Sequence, residues 1–318
     1  MPKTFTPPRF ILLILLLSAG TSRSFAQGMV DGFMKGKGNS SVALSYSYES
    51  YDTYFVGGTS TQNANLGTIA TLSLSFYGVT GLTKKLDAVV SLPYIKASAS
   101  EGYWQDQQGF QDGALYLKYQ VLEKNIGNLG SIAVMAAGGI SNPFSSYIAD
   151  APVAIGHHST SLDGRLVSQF KSNYGFFVSA QAGYTRRSDI KLDRAAVPLP
   201  ETGGAGGSPY YNGHTSHVPN SFDYSVKAGF ASAVAYADAW LHQQNAGEGT
   251  NIGPGIPFPS NAVSYTRTGF SLFVPLPFYK AIGLGGGGSF TLNGKNVGKA
   301  TRYSGSLVYN LPNWQKNK

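Results

Sequence analysis

No charged residue occurs between residues 59 and 83, yet apolar and polar side chains alternate there almost one for one. Ala70, Leu72, Leu74 and Phe76 fall on one side of an extended chain, and Thr71, Ser73, Ser75 and Tyr77 on the other. Only a strand has that period of two. At about twice the usual strand length of a soluble protein, it suits a strand that crosses a bilayer at a tilt, which takes roughly 9–11 residues. An uncharged strand of that length with one wholly apolar face needs a solvent for that face. Lipid is one.

The same pattern recurs along the chain. Leu86, Ala88, Val90, Leu92 and Tyr94 form a stripe, as do Leu115, Leu117, Tyr119 and Val121 opposite Tyr116, Lys118 and Gln120. Leu162, Gly164, Leu166 and Phe170 oppose Asp163, Arg165 and Gln169, and Phe176, Val178, Ala180, Ala182 and Tyr184 oppose Ser179, Gln181 and Thr185. Phe222, Tyr224, Val226, Ala228 and Phe230 oppose Asp223, Ser225 and Lys227, and Tyr303, Gly305, Leu307, Tyr309 and Leu311 oppose Arg302, Ser304, Ser306 and Asn310. Charges therefore fall on the face away from the apolar stripe. A half-buried soluble sheet also alternates, so the pattern supports a membrane strand without proving one.

Less regular segments at 40–56, 132–140, 234–242, 262–274 and 282–292 raise the count to twelve. The predicted fold is all-β, a transmembrane antiparallel β-barrel of about 12 strands over residues 40–318, with 10 or 14 as the alternatives. Residues 260–277 alternate poorly, and Pro275 and Pro277 belong at a strand end or edge. Short connections at 81–85 and 123–128 read as periplasmic turns. Long ones at 189–220 and 243–260 read as extracellular loops, the first rich in Gly and Pro. Tyr77, Tyr94, Tyr119, Tyr184 and Trp240, near strand ends, suit interfacial girdles or express ordinary strand propensity.

The N-terminus agrees with export. Lys3 and Arg9 precede the apolar run from Phe10 to Leu17, and Ser24-Phe25-Ala26 places small residues at the −3 and −1 positions of a cleavage site. Residues 1–26 read as a signal peptide, since that run is too short for the roughly 20 apolar residues of a spanning helix. Residues 27–39 read as a lead in the periplasm or as a lumenal plug carrying Met29, Val30, Phe33 and Met34. Losing Lys3, Arg9 and Arg23 leaves 21 basic against 16 acidic residues, too diffuse a surplus to suggest nucleic acid. The 318 residues include no cysteine, which excludes disulfides, zinc-thiolate sites and cysteine nucleophiles. A complete hydrogen-bond ladder is another source of stability. With 40 Gly, 20 Tyr and 18 Phe, the chain is only 13% charged, against about 25% in a typical soluble domain.

Several stretches carry a resemblance. They include Gly36-Lys37-Gly38 leading into Tyr51-Asp52-Thr53-Tyr54-Phe55, then Tyr77-Gly78-Val79-Thr80-Gly81-Leu82-Thr83-Lys84-Lys85-Leu86, and Ser91-Leu92-Pro93-Tyr94. Asp112-Gly113-Ala114 with Leu117-Lys118-Tyr119, residues 162–169, Gly183-Tyr184-Thr185-Arg186 and Lys191-Leu192-Asp193-Arg194 complete the set. Together they resemble Bacteroidetes-type outer-membrane barrels similar to the meta-pathway phenol-degradation family of the fatty-acid and aromatic-hydrocarbon transporter superfamily. The resemblance covers most of the mature chain through turn and strand patterns of modest specificity. It implies a cell outer membrane location and a barrel that passes small molecules, hydrophobic or aromatic solutes among them. It implies no catalytic residue and no cofactor. Outer-membrane lipid and the barrel-assembly machinery are the partners expected of such a barrel, although the chain runs past Tyr309 and Leu311 to Trp314 and Lys318 instead of ending on a strand aromatic.

Other chemistry is weaker. His157-His158-Ser159 invites a nucleophile reading, but a nucleophile needs a base in reach and a third group to orient it, and the spacing supplies neither. His157 with His158, or His214 with His217, lack a carboxylate or thiol set at ligand spacing. The Gly285 to Gly288 run lacks the Lys-Ser/Thr of a phosphate loop. The candidate site is therefore the lumen, lined by Lys118, Asp163, Arg165, Asp223, Lys227, Asp238 and Arg302. A passive channel or uptake porin is the leading expectation, a closed structural or surface-binding barrel the alternative, and a lumenal enzyme the third.

Overall fold

The computed structural model describes residues 30–192, 214–311 and 313. The expected signal peptide and residues 193–213 of the longest loop lie outside the described residues. Twelve strands of 11 to 15 residues make the wall. They are β1 (Ser40–Tyr51), β2 (Ile69–Gly81), β3 (Leu86–Ala99), β4 (Asp112–Ile126), β5 (Gly130–Pro143), β6 (Ser161–Ser172), β7 (Phe176–Arg187), β8 (Ser221–Ala231), β9 (Tyr236–Ala246), β10 (Ser264–Pro275), β11 (Ile282–Lys295) and β12 (Thr301–Leu311). Every strand pairs antiparallel with its sequence neighbours, and β12 closes on β1 from Ser40↔Leu311 to Ser50↔Thr301. Closure leaves no edge, so every strand's backbone groups are met within the wall, as a hydrocarbon solvent requires.

The period-two stripes become the two surfaces of this wall. Leu74, Leu115, Leu117, Leu166, Val178, Val226 and Leu307 are exposed on the outside, while Ser73, Lys118, Asp163, Gln169, Ser179 and Asp223 are buried inside. A continuous outward apolar band around a closed ladder is a bilayer-spanning surface, and with this barrel it places the chain in an outer membrane. Pro275 ends β10 and Pro277 lies in the following turn, where neither owes the ladder a hydrogen bond.

Besides a register shift between Thr266 and Arg267 in the β10–β11 ladder, three features qualify the simple reading of faces. A bulge between Gln120 and Leu122 in β4 exposes both Val121 and Leu122, and it shifts the phase so that Lys124 points out near the strand end. Lys96 also sits on the outer face, at the far end of β3, paired with Asp106 at 3.3 Å. Tyr77 and Trp240 do not join an interfacial girdle. They share the parity of inward residues, with Tyr77 opposite Ser91 and Trp240 opposite Lys227, so both point inward, whereas Tyr94, Tyr119 and Tyr184 face out.

The two ends differ. At one end strands are joined by turns of 3 to 6 residues, at 82–85, 127–129, 173–175, 232–235 and 276–281, and Ser40 and Leu311 lie there too. At the other end the connections are long and structured. Thr53–Val56, Thr59–Gln62 and Val297–Gly298 form a small sheet, and Ile190–Lys191 pairs with Thr215–Ser216. Short turns mark the periplasmic end and long loops the outside.

Candidate functional site: the barrel lumen

Residues 30–39 run inside the barrel before the chain turns into β1. Gly36 and Gly38 adopt φ of 76° and 77°, and the Gly38 and Gly81 amides donate to Gly81 O and Asn39 O at 2.8 and 2.9 Å. A Cβ on Gly81 would meet Gly36 O at 1.9 Å. The two glycine-bearing motifs of the sequence thus form one joint, at which the lumenal segment reverses against the turn between β2 and β3.

The segment is anchored by charge and by apolar packing. Asp87 and Lys118 are direct cross-strand neighbours on the inner face. Lys118, 2% exposed, donates to Asp31 Oδ1 at 2.9 Å and to Phe33 O at 2.6 Å, and lies 3.5 Å from Asp87 Oδ2. The Lys35 amide donates to Asp87 Oδ2 at 2.8 Å, and the Lys35 ammonium reaches Ser41 Oγ. A lysine so deeply placed is tolerable only because two carboxylates and a carbonyl surround it. Val30 and Met34 pack with Val79, Val89, Tyr116, Met135 and Val167, and the Phe33 ring meets Phe177 edge-on at 5.2 Å. Gly32 packs closely on Gln169, and a Cβ there would lie 2.1 Å from its Oε1, so the Gln169 side chain would have to move to admit one.

A second network crosses β6 to β9. Arg165 grips Asp163 through Nε and Nη2 at 2.6 and 2.9 Å and reaches Asp223 through Nη1 at 3.0 Å. Between them on β7 stands Gly183, paired with Arg165 on one side and Asp223 on the other. A side chain there would crowd both, since its Cβ would lie 3.1 Å from each. That glycine lets the guanidinium cross a strand, and the bidentate geometry makes the contact a strong one. Thr185 Oγ1 donates to Asp163 Oδ2 at 2.8 Å, His242 Nε2 lies 3.3 Å from Asp223, and Lys227 lies 3.3 Å from Asp238, which also accepts from the Tyr236 hydroxyl.

The seven candidate residues therefore divide into separate groups. Lys118 joins the N-terminal segment. Asp163, Arg165 and Asp223 form one cluster, with Lys227 and Asp238 beside it. Arg302 stands apart, opposite Glu49 on β1, with Nη2 donating to Ser47 Oγ at 2.8 Å, and Arg267 lies 3.6 Å from the same Glu49. Asp31, Glu49, Asp87, Arg267 and His242 are members that sequence reasoning missed. Strand parity could have found Glu49, Asp87 and Arg267, which share the faces of Ser47, Val89 and Gly269.

Small side chains are frequent on the opposite wall, between Phe273, Arg267, Arg302, Glu49 and Tyr77. Across β10 to β12 and β1 to β3 the inner face carries Ser271, Gly285, Gly287, Ser304, Ser306, Ser45, Ser75 and Ser91 in cross-strand register. Most of them are only half-buried. On the charged side a cavity of about 230 Å³ lies between residues 30–33 and β6 to β9, touched by Phe33, Arg165, Lys227, Tyr236 and Trp240.

The outer mouth is covered by residues 144–160. Ala149, Ala151, Val153 and Ile155 pack on Ile69, Ile95 and Ala97 of the inner wall, with Ile190, Leu192 and Val218 completing an apolar cluster. Tyr147 donates to Asp112 at 2.7 Å, and Asp150 accepts from the Phe258 amide at 2.9 Å. Burial beside Asp112 pushes the Tyr147 phenol up, and burial, then the charge of Arg187, pushes His157 down to about 4. The Ser159 Oγ is buried, and among the described residues it has no hydrogen-bond partner, a base included. His217 Nδ1 and Nε2 lie 2.8 and 3.2 Å from Asp189 and Glu248, a bridge between loops that sequence spacing did not reveal.

No protein-family model and no curated relative matches the sequence. Among solved structures, the COG4313 outer membrane channel from Pseudomonas putida F1 is similar with a TM-score of 0.69 at 14% identity, over 89% of this chain and 100% of that one. The NanC porin has a TM-score of 0.46 at 8% identity, covering 85% and 100% of the two chains. The CymD monoaromatic hydrocarbon channel has a TM-score of 0.37 at 11% identity, covering 87% and 88%. At these identities the first likeness is one of fold, and the other two overlap it only in part.

Proposed function

We propose that this outer-membrane barrel is a passive uptake channel for small molecules, apolar and aromatic ones included. The observation that carries the reading is the asymmetry of the inner wall. A barrel serving only as a scaffold would fill its interior with side chains, as small barrels do. Here the strands β10 to β12 and β1 to β3 carry serine and glycine at many mid-wall positions, between larger inward groups such as Phe273, Tyr77 and Arg302, and these small side chains fill less of the lumen than the charged network opposite. Solute passes between that hydroxyl wall and the charged wall, with residues 30–39 and 144–160 restricting the two ends. Aromatic faces at Phe33, Tyr236 and Trp240 favour flat, weakly polar solutes, in keeping with the resemblance to aromatic-hydrocarbon transporters. The lumenal charges are spent largely on one another, and this argues against a dedicated anion track.

The alternative is a barrel whose lumen stays shut and whose loops bind a partner. Liposome swelling with neutral solutes of graded size separates the two. The full mature chain should pass small solutes, and a chain lacking residues 27–39 should pass larger ones faster. A folded barrel that admits nothing in either form overturns the channel reading.

A further inference from the structure

The periplasmic end carries an uneven distribution of charge that the channel reading does not use. Each of its five turns exposes at least one large apolar side chain, Leu82, Leu129, Tyr174, Val234 and the pair Phe278 and Tyr279. Lysines accompany some of these turns and not others. Lys84 and Lys85 lie in the β2–β3 turn, Lys124 on the outer face beside the β4–β5 turn, Lys280 in the β10–β11 turn and Lys37 next to the start of β1, all exposed.

Sheet order makes these positions contiguous. From β10 through β11, β12, β1, β2, β3 and β4 to β5 the rim is basic, whereas the turns of β6–β7 and β8–β9 present Tyr174 and Val234 with no exposed charge, the neighbouring Lys171 being half-buried with its ammonium over the Phe33 ring. The one exposed acid at this end among the described residues is Glu123, on the inward side of β4, which accepts from Gln120 Nε2 at 2.8 Å. The opposite end is mixed, with Asp52, Glu101, Asp106, Asp150, Asp189 and Glu248 against its cations.

We propose that the basic arc of the periplasmic rim binds the anionic headgroups of phospholipids in the inner leaflet. The chemistry fits that occupant at two levels. The apolar turn residues and Lys124, on the lipid-facing surface, lie at headgroup depth, where a lysine stem runs along hydrocarbon while its ammonium reaches phosphate. A line of five lysine ammonium groups against the single carboxylate of Glu123 attracts an anionic surface, at about fivefold in affinity per lysine close to it. The arc over β6 to β9, whose Lys171 is turned onto the Phe33 ring, exposes no such line of ammonium groups, so anionic lipid concentrates on one side of the barrel.

Spin-labelled phosphatidylglycerol and phosphatidylcholine, added in turn to the full mature chain in phosphatidylcholine vesicles, report relative association with the barrel surface. The wild type should favour the anionic lipid at least fivefold at low salt and lose most of that at high salt. A variant carrying K84Q, K85Q, K124Q and K280Q should lose the preference while keeping heat-modifiable gel mobility. A variant with K191Q, K295Q and K299Q at the other end should keep it, which excludes an effect of net charge alone. Equal association of both lipids with the wild type, a preference that survives the fourfold change, or its loss in the opposite-end variant overturns the proposal. The first of these results would leave the rim to an acidic protein partner. None of these outcomes depends on whether solute crosses the lumen.

Discussion

At the scale of single residues, the lumen is organised by a few side chains that could not stand alone. Lys118 is the clearest. Its ammonium is enclosed by Asp31, Asp87 and the Phe33 carbonyl, so it holds the N-terminal segment to the wall and also keeps Asp87, fully buried, tolerable. Removing one partner of such a group leaves uncompensated charge, which costs about 3–5 kcal/mol. The variant K118M should lose stability of that order in urea unfolding from lipid vesicles. Adding D31N and D87N to it should recover much of the loss. A loss below about 1 kcal/mol for K118M would mean that water reaches the site and the anchor is weak. Gly81 acts at the same scale by what it lacks, since the Gly36 backbone occupies the space of its Cβ, and Gly32 and Gly183 leave room for the Gln169, Arg165 and Asp223 side chains packed against them.

At the scale of elements, period two carried most of the information. It placed seven strands clearly and assigned their faces, because lipid and lumen are chemically opposite and a strand shows each to alternate residues, while five less regular segments completed the expected twelve. The sequence could not show where that rule is interrupted. The bulge in β4 changes phase without changing composition, and Tyr77 and Trp240 resemble girdle aromatics in type while their parity turns them inward. Nor were the lumenal partnerships legible. Asp163 and Arg165 lie two apart on one strand, but Arg165 to Asp223 spans two strands and depends on Gly183 between them. The inward-folded loop at 144–160 was hidden altogether, since Ala149, Ala151, Val153 and Ile155 alternate like a strand yet cap the mouth.

That loop yields a prediction about pH. With His157 held at about 4 against an ordinary 6.5, the packed loop favours the neutral ring. Its stability is complete above about pH 6.5 and falls progressively toward pH 4, by up to about 3 kcal/mol. Spin-label distances between residue 152 and β3 should be constant from pH 8 to 6.5 and lengthen in acid, and H157N should abolish the change. A distance independent of pH in the wild type would contradict the buried, neutral ring.

At the scale of the whole molecule, a wall dense in paired charges over β6 to β9 faces one richer in serine and glycine that also carries Arg302, Glu49 and Arg267, one segment enters from the periplasmic end and one loop folds in from outside. The claim that ties these parts together is that the small-residue wall borders a conduit. Because the chain contains no cysteine, single thiols can be placed at will. Planar-bilayer current through S75C and S304C, on the inner wall, and through L74C, on the lipid face, before and after a water-soluble cationic thiol reagent tests that claim most directly. The account predicts a measurable current in all three, a clear drop on modification of S75C and S304C, and none for L74C. A folded protein with no current, or currents that the reagent leaves unchanged at all three positions, would contradict it.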